Sequence, residues 1–345
     1  MDTNPAADLH APSPEERRPA ESTFQRLAPG LAAATVLGAA AYFLGTLHPS
    51  LDALALAIVF GIATRIFAAD NRWMEPGVRW ALRIFIPAGI ILYGTRLDFA
   101  RLSALPPSVT LFTVLIMGAF YGVIYGLYRL WPVRRPTGEL LASGSAICGA
   151  SAIAVLSPVL EADPEDTSVS LLVITAVGLL GAMVYPVLRE LLGLSDIVYA
   201  ILSGATLHQT GIVKIAVSDM APLHVSFALA VKTTRIVMLA AIAFVAGILQ
   251  RRRSGSGVGQ ALGRIWFLAP FVAVGLAMSY LPGARGFFAL LSPAGTLIFA
   301  IALAGIGLLV DIESVLNAGS RPLIIGVVGW IIVVVLFLLL APVFI

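Results

Sequence analysis

Long apolar runs, each closed by a short polar turn, follow one another from about residue 27 to the C-terminus. They are continuously apolar rather than alternating with period two, which excludes the strands of a membrane barrel. Each is close to the ~20 residues that a helix needs to cross a bilayer. The pattern predicts helices at 27–47, 52–68, 79–97, 106–129, 138–160, 168–192, 196–217, 222–249, 264–281, 287–310 and 322–343. Many boundaries carry proline or glycine, as helix termini do. Residues 1–24 differ. They hold Pro5, Pro12, Pro14 and Pro19 among Glu15, Glu16, Arg17 and Arg18, without apolar periodicity. They read as a disordered tail, not as a cleavable signal peptide.

Composition strengthens this picture. Hydrophobic residues make up 59% of the chain and charged residues 12%, about half the charge of a soluble domain. The chain is therefore read as an all-α integral membrane protein of about 11 transmembrane helices, forming a single transmembrane domain over 25–345. Lipid tolerates the 32 glycines and 21 prolines, because neighbouring helices satisfy the freed backbone groups. The lone Cys148 excludes an intramolecular disulfide. The net charge of +3 resides in loops and gives no reason to expect a nucleic-acid partner.

The loop arginines set the orientation. With the tail in the cytoplasm of an inner (plasma) membrane protein, alternation over eleven spans puts Arg26, Arg65, Arg72, Arg79, Arg129, Arg134, Arg135, Arg189, Arg251 and Arg321 inside. Arg96, Arg101, Arg285 and the acidic segment 161–166 fall outside. Eleven divides into one N-terminal helix plus two inverted five-helix repeats, about 52–192 and 196–343. The glycine-rich fourth helices would then be 138–160 and 287–310. A shorter echo, between 144–155 and 204–215, does not fit that symmetry.

Ionisable groups inside spans are expensive and hence candidates for function. Lys232 and Arg235 share one helix face, with no carboxylate in the middle of any span. One reading has them face a water-filled site for an anion, whose oxygens match the arginine fork. The other has them bond to backbone carbonyls of broken helices. Ser143, Ser145, Cys148, Gly149 and Ser151 lie in a small, polar stretch that predicts an interrupted helix, whose half-helix N-terminus suits an anion. Close helix packing is the plainer explanation. A third stretch holds Thr206, His208, Gln209 and Lys214. His208 could carry a coupling proton or make an interhelical hydrogen bond. Lys214 could line the site or reach an interface by snorkelling. Arg96 and Asp98 read as a local pair at the end of their span.

These stretches together resemble the YeiH-like sulfate exporter family. The resemblance is carried by Tyr93-Gly94-Thr95-Arg96, then Gly144-Ser145-Ala146-Ile147-Cys148-Gly149-Ala150-Ser151-Ala152. Gly204-Ala205-Thr206-Leu207-His208, Lys232-Thr233-Thr234-Arg235 and Ala304-Gly305-Ile306-Gly307-Leu308 follow in order. It implies membership of the cation/proton antiporter and bile-acid symporter superfamily, with two inverted five-helix repeats and crossed, interrupted fourth helices. It also implies a secondary transporter, with sulfate, sulfite or an organosulfonate such as taurine as the small anionic solute. The chain departs from the family where Gln209 replaces a common glutamate, Ile212 a glutamine, and Lys214 a small or apolar residue. Neither H-E-x-x-H nor G-x-S-x-G occurs, so no enzyme and no cofactor are expected. A passive anion channel is the alternative, and the reading leaves room for a homodimer.

Overall fold

In a computed structural model, the described residues are 23–48, 51–67, 72–97, 99, 105–254, 266–310, 313 and 317–345. The tail read over 1–24 lies outside them apart from its last two residues, as do Asp98 and Arg101. The described residues form thirteen α-helices and two short 3-10 turns, without strands. The helices are α1 Thr23–Leu47, α2 Ala53–Phe67, α3 Glu75–Tyr93, α4 Pro107–Leu130, α5 Arg135–Ala146, α6 Ala150–Val159 and α7 Pro164–Leu192. Then come α8 Asp196–Thr206, α9 Thr210–Ala216, α10 Pro222–Ser254, α11 Leu268–Tyr280, α12 Pro282–Leu308 and α13 Arg321–Phe344.

Seven of these, α1, α3, α4, α7, α10, α12 and α13, contain stretches long and apolar enough to cross a bilayer. Large apolar side chains such as Phe43, Leu115, Met183 and Leu339 point outward, which water would penalise and lipid accommodates. Every apolar run read from the sequence is helical, and the chain is an all-α membrane protein.

Two of the runs do not cross. Arg134, at the start of α5, bonds Asp163, which follows α6, at 2.7 Å. Gly144 of α5 lies against Ile153 of α6. Segment 135–159 is thus a re-entrant hairpin whose two feet meet at one end of the bundle. The same holds for α8 and α9. Arg189 bonds both Asp196 and Asp219 at 2.6 and 3.2 Å, and the Tyr199 hydroxyl donates to the Ala216 carbonyl. We call these hairpins one and two. Among the described residues, the remaining nine helices are the seven long enough to cross and the shorter α2 and α11.

The hairpins enter from opposite ends. Hairpin one starts where α4 ends and α13 begins, since Arg321 donates to the Pro132 carbonyl. That end also holds the start of α1, because Gly30 packs on Gly77, a residue of α3 that lies near Gly305 through Val78. Hairpin two starts at the far end, where Phe344 of α13 stacks on Phe112 of α4 at 5.0 Å. Consequently the acidic segment 161–166 shares the N-terminal end with Arg134 and Arg135, and Arg189 lies at the far end. Both change sides relative to strict alternation, because a hairpin returns the chain to the side it left.

The pair α4–hairpin one and the pair α7–hairpin two are therefore inverted copies of one short unit, which accounts for the echo between 144–155 and 204–215. The interrupted helix anticipated at 287–310 is instead the continuous α12; the second interruption lies at 207–209.

Packing divides the bundle. Helices α1, α2, α3 and α12 pack closely together, with α11 against α3. Helices α4, α7, α10 and α13 enclose the two hairpins, and contact between the two groups is sparse.

Candidate functional site

The hairpin tips are local consequences of sequence. Hairpin one turns at Gly149, whose φ of 73° and ψ of −121° lie where side chains carry a strain penalty. Ile174, Gln209 and the His208 carbonyl crowd the space a side chain would need. Hairpin two turns through extended Leu207 and Gln209, with no positive φ. The tips meet in the middle of the bundle.

Each tip leaves carbonyls at the end of its first arm without helical partners. Lys232 and Arg235 of α10, both fully buried, supply them. The Lys232 ammonium donates to the carbonyls of Leu207 at 2.7 Å, His208 at 2.5 Å and Ile147 at 3.4 Å. Arg235 donates to Ala146 at 3.0 Å, Leu207 at 2.7 Å, Gly204 at 3.4 Å, and to the Ser145 carbonyl. Its guanidinium also sits 5.7 Å from the centre of the Phe120 ring. Of the two readings of this pair, the structure has the one in which both bond to carbonyls of broken helices. Neither lines either of the two cavities described below.

The second arms begin on the opposite side of the tips. There a cavity of about 340 Å³ is lined by Cys148, Ala150 and Ser151 from hairpin one and by Gln209, Thr210, Gly211 and Lys214 from hairpin two. The other group of helices closes it with Asp52, Tyr93, Arg96 and Thr296. Ala150 and Ser151, the first residues of the ten-residue α6, line this space, so the helix turns its positive dipole end toward it. Arg96 is held over it by stacking on Tyr93 at 5.2 Å and donating to Thr296 at 2.9 Å. Asp52 spends one carboxylate oxygen on the N–H groups of Leu54 and Ala55, both at 2.9 Å, capping α2. The cavity wall thus carries two cationic side chains and one carboxylate.

The remaining expected residues divide. Cys148 lies 2.7 Å from the Ser151 hydroxyl, and Gln209 donates to Thr175 at 3.2 Å. The Gln209 side-chain oxygen Oε1, the Ser145 hydroxyl and His208 Nδ1 are buried without a partner among the described residues. His208 packs edge-on to Phe120 at 5.8 Å, away from the cavity wall. Thr206 bonds the Tyr185 hydroxyl and the Leu202 carbonyl. Ser143 lines a larger cavity, about 530 Å³, between α4, α5 and α10. Apart from Ser143, Tyr121 and Glu139, that cavity is walled by apolar residues and glycine, which makes the smaller, charged one the candidate site.

Four residues were not anticipated in these places. Arg96 was paired in sequence with Asp98, which hid its reach to α12. Asp52 stood at a helix boundary. Glu139 and Asp166 are buried carboxylates at the foot of hairpin one, each held by a neighbouring arginine.

The model of the family described as conserved hypothetical protein 698 matches residues 29–326. A UPF0324 membrane protein of Archaeoglobus fulgidus is 36% identical over 304 residues, 88% of this chain and 89% of its own length. A UPF0324 membrane protein of Bacillus cereus is 29% identical over 282 residues, covering 80% and 82%. Another, BMEI1914 of Brucella melitensis, is 28% identical over 309 residues, covering 87% and 86%. No solved structure matches the chain. With a family model over most of its length and a relative 36% identical across nearly all of both chains, the chain belongs to the conserved hypothetical protein 698 family of UPF0324 membrane proteins.

Proposed function

We propose that this protein is a secondary transporter of a small anion, an oxyanion such as sulfate or sulfite or an organosulfonate such as taurine, working by alternating access. The observation that carries the reading is the cavity in which Arg96, Lys214 and the N-terminus of α6 converge. Arginine donors and half-helix N–H groups match oxyanion geometry, and the volume lies within the range of small-molecule sites. The two helix groups, sparsely joined with the site between them, suit a rocking or sliding of one body on the other. Export is the direction we favour, in keeping with the resemblance to sulfate exporters.

The arginines support an orientation with the N-terminus in the cytoplasm of an inner membrane. Arg26, Arg65, Arg79, Arg129, Arg134, Arg135 and Arg321 cluster at the N-terminal end, against Arg96 and Arg189 at the far end. Catalysis and a cofactor form no part of the reading.

The test is a thermal-shift screen of the purified protein, backed by proteoliposome flux, across sulfate, sulfite, taurine and small carboxylates. The parent is expected to be stabilised by one of the sulfur oxyanions or sulfonates. Arg96→Gln and Lys214→Gln are expected to remove that response while leaving the protein folded. If both variants respond to every anion as the parent does, the site is wrong. Flux that neither saturates nor responds to solute on the opposite side favours a passive channel.

A further inference from the structure

The Lys232 side chain ends in a cage that has the chemistry of a cation site. Its three acceptors are the backbone carbonyls of Ile147, Leu207 and His208, and two hairpins contribute to it. All three stand just past the C-terminal ends of half-helices, α5 and α8, where the helix dipole is negative. In membrane transporters, unwound carbonyls and half-helix C-termini are the groups that hold a free monovalent cation. Three carbonyls call for three donors, and only the ammonium form of lysine has three. No carboxylate contacts Lys232 among the described residues, so the balancing charge comes from the carbonyls alone. Arg235 fills the adjoining positions with its fork, and both side chains share the Leu207 carbonyl.

We propose that the Lys232 ammonium is a resident cation that occupies a site otherwise suited to a free small monovalent cation, so that the hairpin tips need no such ion to stay assembled. The inference rests on the tip geometry and not on the identity of the transported solute. Removing the amine opens a vacancy lined by three acceptors and no donor. A small monovalent cation has the charge to fill it, and methylammonium has both charge and three N–H groups.

The experiment measures thermal unfolding of purified parent and Lys232→Ala protein at constant ionic strength. The chloride salts are those of sodium, potassium, lithium, methylammonium and N-methylglucamine. The parent is expected to show the same midpoint in all five. Lys232→Ala is expected to unfold earlier in N-methylglucamine, and to recover saturably, by at least about 2 °C, in sodium, lithium or methylammonium. Lys232→Gln keeps two N–H groups and covers the case in which the alanine variant does not fold; it is expected to show a smaller recovery of the same kind. A parent that is itself stabilised by one small cation overturns the proposal. So does a folded variant whose midpoint no small cation moves. Loss of the anion response described above, with cation recovery intact, would count against the transport reading and leave this one standing.

Discussion

The two hairpins reach the centre from opposite ends and share the same pair of cations, yet they are built differently. Hairpin one has a twelve-residue and a ten-residue arm and turns on a glycine in a conformation closed to other residues. Its foot holds two carboxylates out of solvent, Glu139 and Asp166. Hairpin two has a second arm of only seven residues, turns without positive φ, and is stapled by Arg189 to the exposed acids Asp196 and Asp219. Only hairpin two carries a cation, Lys214, into the cavity. Hairpin one contributes hydroxyl, thiol and backbone groups there. One hairpin is thus the stiffer support, and the other bears the charge.

The largest effect should come from the element both hairpins share. Arg235→Met strips its donors from the Ser145, Ala146 and Gly204 carbonyls at once, leaving Leu207 to Lys232 alone, and buried acceptors left unpaired cost about 1–3 kcal/mol each. We expect loss of folded protein, or a destabilisation of at least about 3 kcal/mol, measured as recovery of monodisperse protein and its unfolding midpoint. A variant as stable as the parent would mean that the tips do not depend on α10.

Gly149→Ala should separate the hairpins. It forces a side chain into a conformation costing about 1–3 kcal/mol, and should lower the unfolding midpoint. Gln209→Ala, at the other tip, should cost less, since it gives up a single bond to Thr175. Equal effects would erase the distinction between a strained and an extended turn.

The staples should give the smallest effects and differ in kind. Arg134→Gln leaves Asp166, only 1% exposed, with Thr137 and a backbone N–H as its partners. Because Arg134 is itself largely in solvent, about 1 kcal/mol is expected. Arg189→Gln removes contacts to exposed acids and should cost at most about 0.5 kcal/mol, vanishing in high salt. Unfolding midpoints at low and high salt decide the order.

The all-helical membrane architecture was legible because lipid demands long apolar runs, and those runs are written directly into the sequence. The hairpins were only half legible. A hairpin with arms of twelve and ten residues is as long as a single span, so length does not distinguish them. The small polar centre, Ser143 through Ser151, did mark the break, and the echo between 144–155 and 204–215 marked its partner. What the sequence could not convey was direction, because the bond from Arg134 to Asp163 joins residues on either side of a presumed crossing. Likewise the absence of carboxylates within the spans left two readings of Lys232 and Arg235 open, an anion site or the carbonyls of broken helices. The acceptors are main-chain carbonyls, and no residue name tells which carbonyls a broken helix leaves open. Arg96 reaches the site through Thr296, two hundred positions away.

The Leu207 carbonyl, which accepts from Lys232 and Arg235 together, has a mechanical consequence. Both side chains hang from one turn of α10 and each grips both tips, so the hairpins are linked as the two doors of an airlock are linked by an interlock. Displacing either tip pulls on the same short stretch of helix and is felt by the other. Two half-barriers facing opposite ends of the molecule then share one moving part, and an arrangement that withdraws both independently has no joint about which to turn.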